Sequence, residues 1–141
     1  MGKIDKGGYA DARYHTAQVM PISESTLTVA GTAASATELS RITAMTNIRA
    51  LDINVPLKTG GTAAGPTLLI GKSAAGTGTF AAFGTIAFGT QADNTVTDGA
   101  LTETQISAGD DIIIQVAAGT AASTPVADNV YLQYVEDFVS A

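Results

Sequence analysis

Apolar and polar positions alternate in short runs along this chain, and the runs recur about every 10 residues between Gly, Pro, Asn and Asp, the pattern of a sandwich or barrel. Residues 48–57 show it best. From Leu51 the period is two, with Leu51, Ile53, Val55 and Leu57 on one face and Asp52, Asn54 and Pro56 on the other. Pro56 places a sheet edge or a strand end there. Strands are also expected at 25–30, where Leu27 and Val29 alternate with threonine, and at 67–70, 79–88, 101–106, 112–116 and 129–138. In residues 79–88 the spacing of Phe80, Phe83, Ile86 and Phe88 breaks strict alternation, which a bulge near Gly84 would explain. Asp98-Gly99 is a strong short hairpin signal, and Ala108-Gly109-Asp110 predicts a further turn. Ile112, Ile113 and Ile114 in succession would bury both faces, so that strand is either central or at a subunit contact.

One stretch reads two ways. Ser35-Ala36-Thr37-Glu38 fits a capping box, and Leu39, Ile42 and Met45 follow at helical spacing. The threonines and serines around them suit a strand equally well. The expected architecture is therefore all-β, a sandwich over residues 26–141 with at most one short helix. Residues 1–25 have no sustained period and read as an extended N-terminal arm.

Charge sharpens that division. Seven cations (Lys3, Lys6, Arg13, Arg41, Arg49, Lys58 and Lys72) against five acids leave +2 over residues 1–72, and eight acids alone leave −8 over residues 73–141, for a net charge of −6. Such asymmetry suggests one end docked on a partner and one left in water, or simply an acidic surface that favours solubility. An acidic chain is a poor partner for nucleic acid, and no apolar run approaches the roughly 18 residues of a membrane span. The start has no apolar stretch of the signal-peptide kind, and Lys6 stands where a myristoylation signal needs Ser or Thr. There is no cysteine, so redox conditions do not bear on the fold and the compartment stays open. A chain of this length buries about 68% of its unfolded surface as one domain and needs no covalent staple.

Catalytic constellations are hard to assemble. His15, the single histidine, has no acid or nucleophile at motif spacing, so neither a catalytic triad nor a histidine metal site is expected. Gly71-Lys72-Ser73 resembles the end of a phosphate loop, but Pro66 stands where its first glycine belongs and an apolar strand fills the loop. Asp110 and Asp111, with Asp98 and Glu103 near in sequence, raise a calcium site or a glycosidase carboxylate pair. No calcium-loop spacing supports that, and solvation of turn ends explains them equally. No enzyme activity, metal or cofactor is expected. Lys3, Lys6, Tyr9, Arg13 and Tyr14 are the candidate binding residues, because cations and rings in an unpatterned segment suit a groove on an acidic partner. Ile113 and Val135, on the face opposite the regular apolar stripe, are candidate oligomer contacts.

With an arm, an Ala/Gly/Thr-rich β-domain and the segments IRALDINVPL, TLLIGKSAAGTGTF, ISAGDDIIIQV and NVYLQYVEDF, the chain resembles the head decoration, or capsid cement, proteins of tailed bacteriophages. The resemblance is one of overall style across most of the chain. It implies a β-sandwich, often a jelly roll, on the exterior of the virion capsid, bound to the major capsid protein as a homo-oligomer, a trimer before a dimer. It carries over no catalytic residues. The alternative is a carbohydrate-binding or adhesion module of a tail or fibre, with a site on the loops at 58–66, 74–78 and 117–125. Such a site should show exposed aromatic residues beside Asp or Asn on one rim.

Overall fold

The computed structural model describes residues 16–22, 37–75, 78–117 and 122–136. These form ten strands and no helix: β1 (Thr16–Pro21), β2 (Thr37–Thr43), β3 (Ile48–Pro56), β4 (Thr67–Ser73), β5 (Phe80–Ala87), β6 (Val96–Asp98), β7 (Ala100–Leu101), β8 (Thr104–Ile106), β9 (Asp111–Val116) and β10 (Asn129–Glu136). They make two antiparallel sheets, one ordered β1-β10-β3-β6 with β8 also on β3, the other β2-β9-β4-β5-β7. The pairings are nested: β1 with β10, β2 with β9, β3 with β6 and β8, and β4 with β5. The core between the sheets takes alternate residues from each strand, among them Met20, Ile53, Val55, Leu68, Ile70, Ile86, Ile112, Ile114, Val130 and Leu132. The all-β sandwich read from the alternation is thus the fold.

Bulges explain where the alternation breaks. Between β4 and β5 the register passes from Ile70 opposite Gly84 to Gly71 opposite Ala82, which leaves Phe83 as the extra residue, next to the expected Gly84. Phe83 and Ile86 can then both face the core. The same device corrects the helix. Thr37–Thr43 is a strand, the other of the two readings, in which Glu38 pairs with Gln115 and Ser40 with Ile114, so Leu39 is extra. One added residue reverses the parity of the side chains, so Leu39 and Ile42, three apart, both pack on the core. Met45, next in the supposed stripe, lies beyond the strand and is 86% exposed.

Asp98-Gly99 is not a hairpin. β6 pairs with β3 in the first sheet and β7 with β5 in the second, so the chain changes sheets at Gly99. A Cβ at Gly99 would lie 2.7 Å from Ile53 and from Ile86, and 2.8 Å from the Thr85 carbonyl. Gly99 is there for close approach of two sheets, not for the dihedral angles of a tight turn. At 108–110 the turn is present, with Gly109 at φ 96° and the Asp110 amide donating to the Ser107 carbonyl, and it too joins the two sheets.

Of the segment read as an arm, Thr16–Ile22 is described, and it belongs to the sandwich. Six register pairs join β1 to β10, and Met20 and Ile22 enter the core. Residues 1–15 and 23–36 lie outside the described residues, and with them the strand expected at 25–30.

Candidate functional site

The proposed binding residues Lys3, Lys6, Tyr9, Arg13 and Tyr14, and His15 with them, lie outside the described residues. What the structure places is their attachment: the chain that carries them enters the domain as β1, whose only described partner is β10. The candidate oligomer contacts differ from each other. Ile113 is opposite Arg41 on β2 and Gly71 on β4, and within the single chain it is already only 2% exposed. Its strand is central in the second sheet, the first of the two readings of the isoleucine run. Val135 pairs with Arg49 and is half-buried.

The acids near 110 have structural partners. Arg41 donates to Glu38 through Nε and Nη2 at 3.1 and 2.8 Å and to Asp111 through Nη1 at 2.6 Å, while the Thr43 hydroxyl donates to Asp111 at 2.7 Å. The Arg41 hydrogen bonds hold the Glu38 carboxyl below the usual carboxylate range, and those from Thr43 and then Arg41 do the same for Asp111. This cluster ties edge strand β2 to β9. Asp110 accepts from the Ser107 amide at 3.2 Å within its turn. Glu103 stands 4.0 Å from Arg49. Among the described residues no three or more of His, Cys, Asp and Glu come together as a group that could hold a metal ion. Lys72 lies on β4, and its ammonium donates to the Gln105 carbonyl of β8 at 2.7 Å, spanning the two sheets where a phosphate loop would have needed a turn.

Of the loops proposed for a saccharide site, 58–66 and the described part of 117–125 meet while 74–78 lies apart, residues 76–77 and 118–121 being outside the described residues. Loop 58–66 packs against 122–126 and 88–93: the amides of Ala122 and Ser123 donate to the Ala64 carbonyl, Gly65 to Phe88, Gln91 to Gly61, and Gly60 to the Asp93 carboxylate. Residues 74–75 lie elsewhere, with Ala75 against Gly109.

At the Lys58 side of this loop cluster a cleft of about 350 Å3 opens between β3, β6 and β10, lined by Pro56, Leu57, Lys58, Asn94, Thr95, Val96, Asp128, Asn129 and Tyr131. Its walls are fixed by backbone. Leu57 donates to Thr95, Lys58 to Val126, and Ile22 to Asp128. Asn94 holds a turn at φ 58°, a conformation asparagine tolerates better than most residues. The Lys58 ammonium is 3.0 Å from the Asp128 carboxylate at the rim. Sequence reasoning missed this site because its residues come from three separated segments, none with a motif. Register brings them together: on the outer face of the first sheet, Val19, Tyr131, Asn54 and Asp98 lie in one row across four strands. Beside that row Pro21 pairs with Asn129, and Pro56 with Val96.

Comparison of the chain with protein-family models, with curated proteins and with solved structures gives no significant match to any of them.

Proposed function

We propose that this chain is a structural virion protein that binds the exterior of a tailed-phage capsid and stabilises the shell, with the major capsid protein as its partner and a homo-oligomer as its working form. The observation that carries this reading is the anchorage of the basic N-terminal segment. Lys3, Lys6 and Arg13, with Tyr9 and Tyr14, directly precede an edge strand held to β10 by six register pairs and plugged into the core by Met20. Tension on a docked segment would pull along β1 and load that ladder in parallel, so a clamp would fail only when many hydrogen bonds fail together. The nested pairing of the strands supports a jelly roll, the form the phage resemblance implies and one used by capsid and lectin domains alike. Fold alone does not choose between these uses, and the anchored basic segment favours the capsid.

The test is occupancy on empty capsids. Removal of residues 1–15, which leaves β1 intact, should lower occupancy while thermal unfolding of the isolated protein is retained. A truncated protein that decorates particles at full occupancy would overturn the reading.

A further inference from the structure

We infer that the cleft between β3, β6 and β10 binds a neutral saccharide, an activity separate from capsid attachment and located away from the basic segment. Its size lies at the lower end of small-ligand sites, of about 300–1,000 Å3, which suits one or two sugar rings. Its chemistry also fits. Tyr131 offers an aromatic body with a polar tip, and Val96, 60% exposed, lies on the opposite side as an apolar surface for sugar C–H groups. Asn94 and Asn129 carry amides, each able to donate and accept, the pairing that vicinal hydroxyls require.

Charge selects the ligand class. The cleft holds one cation and one anion, Lys58 and Asp128, already paired with each other, so it has no net charge to attract a phosphate or a carboxylate. Asp98 stands exposed in the neighbouring row, which further disfavours anions. A neutral polyol can instead hydrogen-bond to the rim carboxylate and ammonium without breaking their pairing. Val19, 40% exposed, continues the apolar surface beyond Tyr131 on the adjacent strand, so a longer chain would extend across the sheet toward β1.

Calorimetric titration of the full chain with cellotriose, maltotriose and chitotriose, paired with backbone amide shift mapping, tests this without particles. Saturable binding of at least one, with shifts centred on residues 56–58, 94–96 and 128–131, is the expected result. Tyr131→Ala should weaken binding at least about ten-fold, the equivalent of about 1.4 kcal/mol. Asn94→Gly, which keeps the turn conformation, should weaken it several-fold, and it serves where Tyr131→Ala disturbs folding. Gln133→Ala, on the same strand but outside the cleft, should leave it unchanged. No saturable binding by any of the three sugars, shifts centred elsewhere, or equal affinity in Asn94→Gly and the parent would overturn the assignment. Since capsid occupancy is read on particles and sugar binding on the free protein, either can fail alone.

Discussion

Thr97 and Gly99, two residues apart, place opposite demands on the same junction. The Thr97 hydroxyl is buried among the described residues without a hydrogen-bond partner, while Gly99 leaves no room for even a methyl group between Ile53 and Ile86. Thr97→Val removes an unsatisfied polar atom and keeps the branched shape, and should stabilise the fold by about 1 kcal/mol. Gly99→Ala forces two core side chains and the Thr85 carbonyl apart and should destabilise it by about 1–3 kcal/mol. Urea unfolding of both variants checks the pair, and shifts of the same sign would show that the junction is packed differently. At this scale the sequence was only partly legible. Asp98-Gly99 carried its hairpin signal because a glycine chosen for closeness and one chosen for a turn are the same letter.

The strands themselves were easier to read than their connections. Short apolar runs between turn residues located β3, β4, β5, β9 and β10, with two-residue alternation clearest in β3 and β10 and the isoleucine run of β9 burying both faces. The pattern left β2 undecided between helix and strand, because the bulge at Leu39 imitates helical spacing and a bulge depends on the partner strand. Besides its ladder, the packing of Leu39 and Ile42 and the Thr43 hydroxyl on Asp111, β2 is held at the edge by Arg41 between Glu38 and Asp111. Both carboxyls titrate below the ordinary range in the folded chain, so their contribution is present at neutral pH and is lost as pH falls through those lowered values. Arg41→Gln should therefore lower the urea midpoint at pH 7 and flatten its decline toward about pH 3. The exposure of all three groups keeps the effect small. Parallel pH profiles for the parent and the variant would show that the cluster contributes nothing to stability.

For the whole molecule, the division of charge becomes a statement about docking. If the N-terminal cations meet a negative shell, the attraction should fade as the screening length shortens from about 10 Å at 0.1 M salt to about 3 Å at 1 M. The loss should be partial, because exposed pairs contribute only about 0.2–1 kcal/mol each and apolar contact supplies the remainder. Reversing Lys3, Lys6 and Arg13 to Glu should slow capsid binding more than reversing Asp98, Glu136 and Asp137 to Lys. Asp93 and Asp128 are unsuitable for the second set, since one caps the Gly60 amide and the other pairs with Lys58. Equal effects of the two triple variants at low salt, read as occupancy on empty particles, would show that the asymmetry plays no part in docking. The candidate cleft was illegible for the opposite reason to the charge split: charge can be read along the chain, whereas Lys58, Asn94 and Tyr131 meet only through register.

The nested pairing has a kinetic consequence. β4 and β5 are joined by a short connection, whereas β1 must wait for β10, the last described strand of the chain. If closure proceeds from the innermost pair outward, β4 and β5 form the nucleus and β1 locks down last, as the entropy of closing ever longer loops requires. The strand that bears the anchored segment would then be the last to become protected from hydrogen exchange during refolding. If the proposed capsid role holds, only a finished domain would hold that segment firmly, which would keep half-made chains from gripping a shell they could not support.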